Sequence, residues 1–175
     1  PYFVPGPTSM EMLRELRGRN VKVTVLTNSL ASTDEPVVHV GYSAYREELL
    51  RMGVDLYELS SSRLKKNERM FLFGQSLGRL HAKLVVIDRK RLFIGSKNLD
   101  PRSATINTEL GAIVDSPQHA RELLRIIDID RLQSAYRVRL APSGTGLQWL
   151  GNDGEKEIVL NEEPDSTPWL RIKLW

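Results

Sequence analysis

An α/β fold, with helices flanking a central mixed β-sheet, is what the 175-residue sequence predicts. Three observations carry the expectation. "VKVTVLT" and "VDLYEL" are short strand-like runs separated by a helical stretch, the spacing of a βαβ unit. "LHAKLVVIDRKRLFIG" reads as two apolar strands around a polar turn. Ala120, Leu123, Leu124 and Ile127 recur at helical spacing behind Ser116-Pro117.

The elements follow in order. Tyr2 to Val4 is a short strand candidate. Thr8 to Glu11 matches a capping box ahead of a helix reaching Arg19. Val21 to Thr27 alternates as a strand, and "NSLASTDEP" is a loop. Tyr42, Tyr45 and Leu49 share a helical face, with Gly53 at the C-terminal cap. Residues 60–78 show little pattern and carry Arg63, Lys65, Lys66 and Arg69, a cluster suited to anionic headgroups or to a surface loop. After the hairpin comes a loop through Asn107, then a strand in "TELGAIV". Tyr136 to Leu140 and Glu157 to Leu160 are later strands, with "APSGTG" and "GNDGE" as turns. Residues 1–140 are expected to form the main domain and 141–175 a C-terminal extension. "PYFVPG" and "WLRIKLW" both read as cut within a pattern, so the chain is expected to be a piece of a longer protein.

Composition narrows the chemistry. The chain has no cysteine, so thiol catalysis and cysteine-bound zinc are excluded. Its three histidines show no HExxH spacing, and no metal or cofactor is implied. No apolar run reaches the ~18 residues of a membrane-spanning helix. A net charge of +3 suits an acidic partner such as phosphate, but it is weak for nucleic acid.

The hairpin is unusual at one end. His81 and Lys83 stand at its start, Ser96 and Asn98 at its finish. Residues i and i+2 of a strand share a face. With a turn at Asp88 to Arg91, Lys83 would oppose Ser96 and His81 would oppose Asn98, so four polar groups would converge. Val85, Ile87, Leu92 and Ile94 would continue that face. Imidazole can act as nucleophile or as general acid and base. An ammonium, a hydroxyl and an amide are donors for phosphate oxygens. Gly95 would admit close approach of backbone to an anion. Glu109, placed inside an apolar strand, could hold the imidazole in one tautomer. Asn28, just past a strand end, is a candidate substrate contact. Asp88 lies at the turn, seven residues from His81 and of opposite parity, where aspartate favours chain reversal.

Residues 78–102 resemble the HxKxxxxDxxxxxxGSxN signature of the phospholipase D superfamily, read here as His81, Lys83, Asp88, Gly95, Ser96 and Asn98, with Glu109 at the expected acidic position. "VTVLTNSLASTD" and "GYSAYREELLRMGVDLYEL" further resemble the C-terminal half of bacterial cardiolipin synthases, in particular their C branch. The resemblance implies phosphatidyl transfer between phospholipids, phosphatidylglycerol among them, through a phosphohistidine and without metal. It implies a bacterial protein working at the cytoplasmic membrane surface. The superfamily uses two such motifs and this chain holds one. His39, in "VVHVGY", is not a second copy, so an N-terminal half or a second chain is expected as partner. Two other outcomes use the same residues. One is a hydrolytic phospholipase D. The other is a dimeric nuclease, which the mild charge disfavours. An inactive scaffold would not need the intact motif.

Overall fold

The computed structural model describes residues 1–64, 80–127, 134–153 and 156–166. Helix α1 (Gly6–Gly18) leads into strand β1 (Thr24–Asn28). Helices α2 (Pro36–Ser43) and α3 (Arg46–Arg51) connect it to β2 (Asp55–Leu59), which runs parallel to β1. This is the expected βαβ unit, with its helical part broken at Ala44 and Tyr45. Helix α4 (Ser61–Leu64) follows. Strands β3 (Lys83–Ile87) and β4 (Arg91–Gly95) form the hairpin. Helix α5 (Pro101–Thr105), strand β5 (Gly111–Asp115) and helix α6 (Pro117–Ile127) come next. Strands β6 (Ala135–Leu140), β7 (Leu147–Asp153) and β8 (Lys156–Leu160) close the described chain.

The strands form two sheets. One is mixed and five-stranded, in the order β1-β2-β6-β7-β8; the other is antiparallel, β3-β4-β5. The larger sheet carries the core. Leu49, Leu56 and Leu59 are fully buried there, beside Met10, Leu13, Tyr42, Val138 and Trp149. Each such aliphatic side chain contributes roughly 1.5–3 kcal/mol by leaving water. Residues 147–153 and 156–160 belong to this sheet as β7 and β8.

A buried polar network crosses the same core. Glu58, fully buried on β2, pairs with Arg46 Nε at 2.9 Å. It also accepts from Tyr42 Oη and Trp149 Nε1, each at 2.9 Å. Arg46 Nη2 also reaches Glu163 at 2.7 Å, and His39 Nε2 lies 2.5 Å from the same carboxylate. Residue 163 is thereby tied to α2 and α3. Burial works against the Arg46 charge, but Glu58 and Glu163 outweigh it and hold its pKa above the ordinary range. Glu163 moves the other way. Burial would raise its pKa, yet His39 and Arg46 bring it down to about 2.

Several local expectations are corrected. Tyr2 to Val4 makes a single bridge, Phe3 with Leu99, not a strand. Helix α1 begins at Gly6, one turn before the capping box, because Pro7 at its first turn is preorganised for a helix start. Asp100 caps α5 by accepting from the backbone N–H groups of Arg102 and Ser103, which turns part of the expected loop into helix. "LQWLGND" is strand β7, so the expected "GNDGE" turn lies partly in a strand. There Gly151 lets the ring of Tyr136 lie 2.9 Å from where a Cβ would stand. Lys65, Lys66, Arg69, Trp169 and Trp175 lie outside the described residues. Arg63 lies over the ring of Tyr136 and donates to the carbonyl of Asn152, so it serves the large sheet.

Candidate active site

The hairpin register differs from the expectation by one residue. Lys83 faces Gly95, Val85 faces Phe93 and Ile87 faces Arg91. The reason is the turn. Asp88 and Arg89 both adopt left-handed φ, +51° and +55°, and Lys90 N–H bonds to the Ile87 carbonyl. The loop is therefore three residues long, Asp88 to Lys90. Strand parity alone would then set Ser96 and Asn98 opposite in face to His81 and Lys83. Ser96 nevertheless joins the site through Glu109, which acts on Lys83, because β4 ends at Gly95 and the chain leaves the sheet there.

The side chains meet as follows. Lys83 Nζ lies 3.2 Å from His81 Nε2 and 2.9 Å from the His81 carbonyl oxygen. An ammonium only donates, so Nε2 carries the lone pair in this contact. Ser96 Oγ donates to Glu109, and Leu110 N–H donates back to Ser96 Oγ at 3.0 Å. Asn107 Nδ2 also reaches Glu109. The Ser96 hydroxyl is the main cause that holds the Glu109 carboxyl below its usual pKa, with Asn107 and the Lys83 charge adding to it. Lys83 is pushed down by partial burial, while Glu109 and Asp34 work to keep it charged. Asn98 Oδ1 accepts from the Tyr2 backbone N–H at 3.3 Å. His81 and Ser96 are exposed, so the cluster opens to solvent.

Three expected roles change. Glu109 precedes β5 and binds Ser96, not the imidazole; Gly111 begins the strand two residues later. At Gly95, a Cβ would stand 2.6 Å from the Leu110 carbonyl oxygen and 2.9 Å from the Phe93 ring. Its missing side chain thus serves strand packing. Asn28 is only 2% exposed and both ends of its amide bind Leu80. Asp88 sits at the far turn of the hairpin, away from His81. Val85, Ile87 and Ile94 are about half exposed, so the hairpin is less covered than its apolar run suggests.

Asp34 was missed. It follows β1 by six residues, accepts from Tyr2 Oη at 2.9 Å and acts electrostatically on Lys83. The signal was available, since ligands of α/β sheets gather beyond strand C-terminal ends. Among the described residues, no group of three or more His, Asp or Glu side chains could hold a metal ion.

A histidine with its lysine at the start of one strand, and a serine–glutamate pair at the exit of the next, stand together on an α/β domain. The fold agrees. The structure resembles a phospholipase D family member, Nuc from Salmonella typhimurium, with TM-score 0.57 and 19% identity over 79% of this chain and 78% of that one. Phosphatidylserine synthase from Haemophilus influenzae follows with TM-score 0.54 and 15% identity, covering 77% of this chain and 32% of that one. Residues 1–131 match the family "Cardiolipin synthase, PLD-like domain", and the chain belongs to that family. It is 39% identical to cardiolipin synthase C of Escherichia coli over 98% of its own length and 36% of the relative's. It is 31% identical to cardiolipin synthase A of Pseudomonas aeruginosa over 77% of its length and 24% of the relative's. The chain thus spans about a third or less of these curated relatives.

Proposed function

We propose that this domain supplies one half of the active site of an enzyme that transfers a phosphatidyl group between phospholipids, forming cardiolipin. The observation that carries the reading is the His81–Lys83 contact with Ser96 and Glu109 beside it at the open end of the hairpin. His81 Nε2, freed as the Lys83 ammonium turns to the phosphate, attacks the phosphorus of the donor lipid, forming a P–N bond as the P–O bond to the leaving alcohol breaks. A second acid protonates that alcohol. This acid comes from the rest of the protein or from a second copy. A hydroxyl of phosphatidylglycerol then attacks phosphorus, the P–N bond breaks, and the hydroxyl proton passes to that same group. Lys83 and Asn98 donate to phosphate oxygens as charge develops on them, and Ser96 joins them by turning its single proton from Glu109 to the substrate. Glu109 keeps the Ser96 hydroxyl oriented and balances the Lys83 charge.

The substrates place the work at a membrane surface, and no described helix is long and apolar enough to cross one. Water competes with the lipid hydroxyl at about 55 M, so a transferase must exclude water and position the alcohol. The test is mass spectrometry of lipid products from the full-length enzyme on phosphatidylglycerol bilayers with EDTA present. Cardiolipin in excess of phosphatidic acid is expected. Phosphatidic acid as the main product would make it a hydrolase. DNA cleavage without lipid turnover would make it a nuclease.

A further inference from the structure

We propose that Asn28 is a positioning residue for His81: its side-chain amide clamps both backbone polar groups of Leu80 and so fixes the entry of the strand that carries the histidine. Asn28 ends β1, in the large sheet. Its Nδ2 donates to the Leu80 carbonyl at 3.0 Å, and Leu80 N–H donates to its Oδ1 at 2.9 Å. That pair of bonds imitates one rung of a β-ladder. Leu80 needs the imitation because β3 begins only at Lys83 and, among the described residues, the two sheets share no ladder. The amide therefore joins the rigid sheet to the residue next to His81.

The anchor behind Asn28 is itself built. Ser32 and Ser29 are fully buried. Ser32 has one hydroxyl proton, and its shortest acceptor is the Leu59 carbonyl, at 3.0 Å. Its oxygen accepts from Ser29 N–H at 2.8 Å and from the Ser29 hydroxyl at 3.1 Å. The loop leaving β1 is thus pinned to the end of β2. The other half of the site has its own tether: Val4 N–H bonds to the Leu99 carbonyl at 2.7 Å and Tyr2 N–H to Asn98. His81 and Lys83 hang from Asn28, while Ser96 and Asn98 hang from residues 2–4.

The inference rests on the proposed role of His81, and two readouts separate them. Hydrogen exchange in the full-length protein reads the clamp without any activity. Asn28→Ala should remove protection of the Leu80 amide and leave the β1 and β2 amides protected. Kinetics read its consequence. A displaced nucleophile loses reactivity with little change in substrate affinity, and a misplacement of about 1 Å can cost ~100-fold. Asn28→Ala should therefore lower kcat by roughly 10- to 100-fold with KM unchanged. Asn28→Asp is isosteric and guards against misfolding. Its carboxylate keeps the bond from Leu80 N–H and loses the donor, which only the protonated acid restores. Its activity relative to the parent should rise as pH falls. A raised KM with unchanged kcat would make Asn28 a substrate contact and overturn the proposal. Unchanged Leu80 protection in folded Asn28→Ala would overturn it too. Turnover that survives loss of His81 would sink the functional reading, and exchange at Leu80 would still decide the clamp.

Discussion

The molecule holds two clusters of charged and polar side chains, and they are built on opposite terms. Around Glu58 the charges are buried or nearly so, and each is met: Arg46, Tyr42 and Trp149 converge on one carboxylate, while Glu163 and His39 complete the other side of the guanidinium. Around His81 the groups are exposed or half-buried, and the contacts run as pairs, not as a closed network. Among the described residues, Asn98 Nδ2 has no partner. Buried ions must be fully paired because an unmatched charge in the core costs several kcal/mol. Donors at the hairpin end can stay uncommitted because water solvates them. One cluster holds sheet and helices together, and the other presents its groups to solvent.

Substitutions should therefore separate stability from turnover. The largest effect is expected at His81. His81→Ala in the full-length protein should lower lipid turnover more than 100-fold, on the scale that acid–base groups contribute. Its melting temperature should stay within about 2 °C, since the side chain is exposed. Thermal denaturation with a lipid-product assay checks both. Retained activity would break the comparison outright.

Glu58→Ala should do the reverse, destabilising by about 3–5 kcal/mol because Arg46 is left charged and buried. Urea denaturation measures it. A loss below ~1 kcal/mol would mean that the network is not a structural clamp.

Glu163 gives the network a pH signature. Its folded pKa, about 2, lies below the ordinary 4.5, so its contribution is fully present above pH 4.5. It is lost as pH falls toward 2. A depression of this size corresponds to about 3 kcal/mol. Glu163→Gln should flatten the fall in stability between those two pH values, and a parallel curve would discount the pairing.

Smaller effects belong to the hairpin. Glu109→Gln weakens the acceptor for Ser96 and removes a charge near Lys83, so about tenfold lower kcat with unchanged melting is expected. At the distal turn, Asp88→Val should cost roughly 1–2 kcal/mol, because a β-branched residue resists φ +51°. Asp88→Asn should be nearly neutral, since asparagine adopts that conformation readily. Neither variant should alter the chemical step.

Much was legible in the chain itself. Apolar periodicity and turn residues placed β1, β2, the hairpin, α6 and β6 to within a few residues, because those elements are set by local pattern. Gly53 was readable as a helix end, and its φ is +80°. The spacing of His81, Lys83, Ser96 and Asn98 pointed to the phospholipase D superfamily, and the family match over residues 1–131 agrees. Strand β7 was not legible: "GND" looks like a turn, and the run becomes a strand by pairing with β6 and β8 on either side.

Residue types and spacing by themselves determined which groups the hairpin offers: an imidazole, an ammonium, a hydroxyl and an amide toward one end of an apolar run, with no thiol anywhere in the chain. The tertiary structure decided how they meet. The register turned on two residues taking left-handed φ, a choice worth only about 1–2 kcal/mol that local sequence leaves open. Glu109 went to Ser96, not His81, because β5 starts after it. Asn28, Asp34 and Glu163 found their partners across 52, 32 and 124 residues of chain. Such contacts depend on how segments far apart in the chain come to rest against each other, and no local pattern records that.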